Sequence, residues 1–293
     1  VEQVALTDNL LKLTLPNGEV RDLDLDLLLL RTGSDRHVEA NLSSTTGTRI
    51  SVIAQGMGDP FRPELFSGDA YLEVHSPDLG AARALLLEQN LPWRLEGVLD
   101  SRLWFNWDRG QSSLALQLIA HDLQVADAAL ASEPTWAVAL DRVALQARLQ
   151  STPDEWTVFA QDIEVGTGAK RFAVPKLQLE SRAETLQLRA QGIPLEPLNA
   201  ILADVKGLAP GLQEALSTLH PRGDVVTLQV HTANMREPAV GWEVEANFEN
   251  LATDPFQGAP GLESLSGYTR LTPAGGSVLL DSQMPVLDFP TVF

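Results

Sequence analysis

Asp22, Asp24 and Asp26 are the first residues whose type and spacing could do chemistry, since three carboxylates within five positions could hold a hard cation. A calcium loop, however, needs a glycine turn and a distal glutamate, and here leucine fills each gap. The aspartates read instead as the solvated side of a strand. His220 and His231 stand too far apart, on different expected elements, for a helical metal pair, and His37, His75 and His121 have no matching motif. Acidic pairs are frequent because 39 Asp and Glu face only 21 Lys and Arg, and without a pocket they do not make a glycosidase-like acid and base. No nucleophile elbow, Walker loop or dinucleotide fingerprint occurs, and the absence of cysteine removes disulfides, thiolate metal sites and thiol nucleophiles. The sequence therefore reads as non-enzymatic, with no metal and no cofactor. Trp104, Phe105 and Trp107 form a local aromatic cluster on both faces of one expected strand, which reads as core anchoring.

What does recur is apolar. Leucine, valine and alanine alternate with polar residues at period two, the repeat that turns one kind of side chain to one face of a strand. Leu11, Leu13 and Leu15 lead through Pro16, Asn17 and Gly18 to Leu23, Leu25 and Leu27, a strand, a tight turn and its partner. The same pattern predicts strands near 37–42, 49–54, 69–75, 95–107, 113–119, 136–149, 156–165, 172–179, 185–190, 225–231, 240–248, 264–271 and 277–281. Connectors rich in Gly, Asp, Pro and Ser separate them, the spacing of an up-and-down antiparallel sheet. Two stretches break the rule. Residues 77–89 have helical spacing with Asp78 at the first turn, and 195–219 predict two short helices around a break near Pro210. A helix followed by a turn and strands thus occurs twice, which places candidate module joints near 77–92 and 193–222 within one continuous segment, 1–293.

A net charge of −18 repels phosphate backbones, so nucleic acid is not an expected partner. The longest apolar run is five residues, Trp136 to Leu140, against the roughly 20 that a membrane-spanning helix needs. The chain opens at Val1 without an initiator Met or a signal sequence, and reads as a fragment or a mature form. A dozen or more strands with one apolar face present a surface that two modest helices do not cover. A second sheet, curling of the same sheet, or a non-protein ligand would each satisfy it, and periodicity does not choose among them. The aliphatic composition of that face suits alkyl chains and an ordinary core alike. Its candidate lining residues are Leu23, Leu25, Leu27, Leu114, Leu116, Leu118, Val138, Leu140, Leu186, Leu188, Leu228, Val230, Val278 and Leu280.

The letters are more specific than the pattern in "NFENLATDPFQGAPGLESLSGYTRLTPAGGSVLLDSQMPVLDFPTVF", from Asn247 to Phe293, and in the segments Leu91 to Gln111, Phe172 to Leu195 and Ile193 to Val225. In these runs the chain resembles the YhdP family of AsmA-like proteins of Gram-negative bacteria, over essentially its whole length. The resemblance implies a mainly β fold, a long curved antiparallel sheet forming an open hydrophobic groove of the repeating type, with a few short helices. It also implies a periplasmic segment of a larger, inner-membrane-anchored protein that bridges the inner and outer membranes and shields phospholipid acyl chains in transit. The alternative is the role proposed for TamB-type relatives, a scaffold that binds strands during outer-membrane protein assembly. For the first reading the scale is set by about 30 methylenes per diacyl lipid at about 0.8 kcal/mol each, roughly 24 kcal/mol of exposure that a groove could relieve.

Overall fold

The computed structural model describes residues 2–14, 20–59, 61–80, 93–127, 136–152, 154–203, 205, 210–233, 241–256 and 259–289. It is mainly β. The strands are β1 (Glu2–Thr14), β2 (Val20–Thr32), β3 (Asp35–Ser44), β4 (Arg49–Met57), β5 (Ser67–Ser76), β6 (Trp93–Asp108), β7 (Gln111–Asp127) and β8 (Ala137–Ser151). They continue as β9 (Glu155–Thr167), β10 (Lys170–Arg182), β11 (Thr185–Pro194), β12 (Arg222–Thr232), β13 (Trp242–Thr253), β14 (Gly261–Thr272), β15 (Gly275–Leu280) and β16 (Val286–Asp288). Two short helices, α1 (Leu195–Leu202) and α2 (Pro210–Leu219), and one 3₁₀ turn, Pro63–Leu65, complete the described elements. Strand order follows chain order from β1 to β15 in one antiparallel sheet of sixteen strands, β16 being set against β14.

All fifteen strands expected from alternation are present, and β16 is an addition. The sheet grows by hairpins because the connectors are short. Two-residue loops join β2 to β3, β6 to β7, β9 to β10, β10 to β11 and β14 to β15. Arg109 and Gly110 show the chemistry, with φ of 48° and 91°, the left-handed pair that matches the twist of a tight hairpin. The expected turn at 16–18 lies outside the described residues, although β1 and β2 pair as its hairpin requires. The helix expected over 77–89 lies mostly outside them too. Only its start, 77–80, is described, with Leu79 and Gly80 helical and Leu79 buried. The expected pair of helices in 195–219 is found as α1 and α2.

The chain forms two compact units, Val1–Pro134 with Leu140–Pro153, and Thr135–Ala139 with Asp154–Phe293. In the first, β1 to β7 pair consecutively. Its buried positions are few and mostly at one end of the strands, where the Thr48 hydroxyl meets that of Ser76 at 3.1 Å and Ser76 donates to the Asp78 carbonyl at 2.9 Å. In the second, β9 to β15 pair consecutively, and α1 packs on β10, β11 and β12, burying Ile201. Lys170 donates to the Ala200 carbonyl at 2.8 Å, placing a cation where the helix leaves its last acceptors unpaired.

The strands are not uniform along their length. Asp8, Asp122, Asp162, Asn250 and Ser264 sit inside strands with φ between 51° and 57°, a conformation that Asp and Asn tolerate best among residues with a Cβ. Asp8 and Asp122 coincide with register shifts in the β1/β2 and β6/β7 ladders, and Asn250 and Ser264 with shifts between β13 and β14. Freed backbone groups are picked up by side chains: Asp8 N–H donates to Asp26 Oδ1 at 2.9 Å, Asn250 N–H to Ser266 Oγ at 3.2 Å, and Ser266 N–H to Ser282 Oγ at 2.8 Å. Such bulges bend a strand and exchange its faces. In β9 the ladder with β10 keeps its register across Asp162, yet half-burial passes from 158 and 160 to 163 and 165 beyond it.

Candidate functional site

Cross-strand register turns isolated leucines into continuous rows. In the first unit one row runs Leu6, Leu27, Ala40, Val52, Leu72, Leu103 and Leu116 through β1 to β7. Its neighbour runs Leu25, Leu42, Ile50, Val74, Ser101 and Leu118, and on the other side Val4, Leu29, Val38, Ala54, Ala70, Phe105 and Leu114 form a third. Rows two residues apart are spaced by about 7 Å along the strands and neighbouring strands by about 4.8 Å, so three rows make a broad aliphatic surface. The second unit repeats it with Val158, Leu179, Leu188, Val230, Val244 and Leu271, beside Ala160, Leu177, Ala190, Leu228, Ala246, Thr269 and Val278.

These residues are half-buried for the most part, shielded by their lateral neighbours. Only eleven apolar residues among those described are fully buried. A sealed core between two layers would bury whole rows. Within neither unit does a second sheet cover the rows among the described residues, and the described helix packing is that of α1 on three strands. The surface is therefore apolar, wide and accessible from one side.

The candidate lining residues divide as follows. Leu25, Leu27, Leu114, Leu116 and Leu118 are joined by the three rows of the first unit, and Leu23 by the shorter row through Leu11 and Ser44. Leu188, Leu228, Val230 and Val278 belong to the two rows of the second unit. Leu186 lies between Ser181 and Thr232, and Leu280 opposite Gly267, both on that face. Val278 and Leu280 are much barer than the rest, at 58% and 57%. Val138 and Leu140 are half-buried at alternate positions of β8, ahead of the phase change that moves protection to 143, 145, 147 and 149. The sequence reading left out Val38, Leu42, Val52, Leu72 and Leu103, which alternate as clearly but show their membership only through register.

The opposite face carries the charge. Asp22, Asp24 and Asp26 are exposed there, and no group of residues suited to a metal ion occurs among the described residues. Arginines cross-link the face: Arg102 to Glu73 at 3.3 Å, Arg182 to Glu155 at 2.8 Å, Arg222 to Asp254 at 3.0 Å, and Arg270 to both Glu243 and Glu245. The hydrogen bond from Arg270 holds the Glu243 carboxyl below the usual carboxylate range, and that from Arg222 does the same for Asp254. His37, His75 and His220 sit beside Glu39, Asp100 and Asp254 at 2.7, 2.5 and 2.9 Å, as surface pairs. The aromatic cluster is not a core anchor. Register places Trp104 on the charged face, 42% exposed, with Phe105 and Trp107 on the apolar one, and Phe105 is exposed as well. A one-layer sheet has no interior in which to bury them.

Each unit is thus an antiparallel sheet built strand by strand in chain order, with one accessible aliphatic face and one charged face, a class of fold that presents an apolar surface rather than an enclosed pocket. The chain belongs to the YhdP family: a family model described as YhdP protein matches residues 1–293. No curated protein and no solved structure matches it. Membership points to bridge-like lipid transport in the cell envelope. No helix among the described residues is long and apolar enough to cross a membrane.

Proposed function

We propose that this segment carries phospholipids between the inner and outer membranes across the periplasm by keeping their acyl chains against its aliphatic rows. The observation that carries the reading is the half-burial of three parallel rows in the first unit and two in the second, with no described layer above them. Such a face lowers the roughly 24 kcal/mol cost of exposing a diacyl lipid without holding it at one point. Headgroups remain in water, away from the charged side. Segments 77–92 and 193–222 are then joints between modules of the groove, the second occupied by α1 and α2 where they interrupt the succession of hairpins.

The test uses alternation itself. A photoreactive phenylalanine analogue placed at Leu116 or Leu188 faces the rows, while one at Gln117 or Gln187 faces the other side one residue away. Irradiation of the chain with phospholipid vesicles should give lipid adducts at the first pair and none at the second. Equal labelling of all four positions, or none at Leu116 and Leu188, overturns the proposal. With unfolded outer-membrane strands added beside the vesicles, adducts to the strands instead of to lipid would favour the scaffold.

A further inference from the structure

The charged face of the first unit carries one feature that shielding hydrocarbon does not use. Register sets Ile53, Tyr71, Trp104 and Ala115 side by side on β4 to β7. Trp104 and Tyr71 are in contact, with ring centroids 5.5 Å apart and planes at 47°. The Tyr71 hydroxyl donates to Glu73 Oε2 at 3.2 Å, which fixes that ring. Next to the indole, β7 offers only Ala115 and Ser113, and the space so left is a hollow of about 600 Å³, bounded beyond β7 by Arg148 and Gln150 of β8.

The composition around this aromatic row is ordered. One step along the strands lies the row Gln55, Asp69, Asn106 and Ser113, in which Asn106 donates to Asp69 Oδ1 at 2.8 Å. One step the other way lies Ser51, Glu73, Arg102 and Gln117, in which Arg102 donates to Glu73. An exposed flat ring is thus flanked on both sides, about 7 Å away, by planar groups able to accept or donate several hydrogen bonds. A hydrocarbon chain would strand those groups. A nucleobase would bring phosphate to a chain of net charge −18. A pyranose matches both parts, because its apolar ring face stacks on indole while its hydroxyls project at the rim.

We propose that the hollow around Trp104 and Tyr71 is a binding site for an uncharged saccharide, stacked on Trp104 and hydrogen-bonded through the rows of Asn106 and Arg102. The site lies on the face opposite the aliphatic rows and stands independently of the lipid reading.

Chitotriose and maltotriose are the probes. Titrated into the 293-residue chain, at least one should give a saturable change in indole fluorescence and saturation transfer to its ring protons. Trp104→Ala should weaken that binding at least about fivefold, Trp104→Phe should retain part of it, and Asn106→Ala should weaken it without moving the urea midpoint. If Trp104→Ala fails to fold, Trp104→Phe and Asn106→Ala decide. Absence of saturable binding by both trisaccharides, or full affinity in the folded Trp104→Ala and Asn106→Ala variants, overturns the site. A fluorescence change that follows protein concentration alone makes a second copy the occupant and overturns it equally.

Discussion

Replacing Leu116 by aspartate measures how open the aliphatic face is. Leu116 is half-buried in the row through Leu72 and Leu103. Full burial of a leucine is worth about 1.5–3 kcal/mol, so giving up half of it costs about 1 kcal/mol. The new carboxylate keeps water on its open side, which adds about 1 kcal/mol rather than the several of an enclosed position. Leu116→Asp should therefore destabilise by about 2 kcal/mol. Ala120 on the same strand is 1% exposed and supplies the contrast. Ala120→Asp puts a charge beyond the reach of solvent and should cost more than about 4 kcal/mol. Urea unfolding, with hydrogen exchange read separately in β6 and β7, gives both values. Phospholipid uptake by the folded Leu116→Asp chain should fall about tenfold or more, as tails meet an ionised group in their path. Equal destabilisation by the two substitutions would mean that Leu116 is sealed, and unchanged uptake would mean that lipid does not travel over it; either result refutes the reasoning.

Two further outcomes follow from the ladders and the bulges. The Asp254 carboxyl is held low chiefly by its hydrogen bond from Arg222, so its contribution is fully present above the ordinary carboxylate pKa and is lost as pH falls through the folded value. Protection factors for hydrogen exchange, corrected for the intrinsic rate at each pH, should fall at the start of β12 and the end of β13 in acid below that range, and Asp254→Asn should remove most of that pH dependence; an unaltered profile would contradict the assignment. Gly97 has φ +131°, and a Cβ there would stand 2.8 Å from the carbonyl oxygens of His121 and Asp122. Gly97→Ala should cost at least about 2 kcal/mol in urea unfolding, and an unchanged midpoint would show that the β6/β7 bulge accommodates the methyl.

Much of the fold is legible because a half-protected strand writes its periodicity into the chain, as Leu23, Leu25 and Leu27 do against their aspartates. Where a bulge intervenes, the writing changes phase. Val4 and Leu6 belong to the same face as Leu11, but Asp8 takes an extra position between them, so alternation read from the sequence begins β1 at Leu11 instead of Glu2. The rows are less legible than the strands, since pairing of Leu27 with Ala40 and of Leu72 with Leu103 depends on turn length and register. Trp104 is the clearest case. Its neighbours are apolar and aromatic, which favours burial by composition, yet its even position on β6 turns it toward Tyr71 and the charged side. Large aromatic residues signal an interior only where a second layer exists to make one.

Strand order that follows chain order from β1 to β15 also bears on biogenesis. Each new hairpin finds its docking edge in the segment made just before it, so no early stretch must wait unpaired for a distant one. Contacts of this kind are short in sequence and cheap in loop entropy. A chain that appears from its N-terminal end can thus pair each strand as it emerges, its growing border covered by the strand that follows.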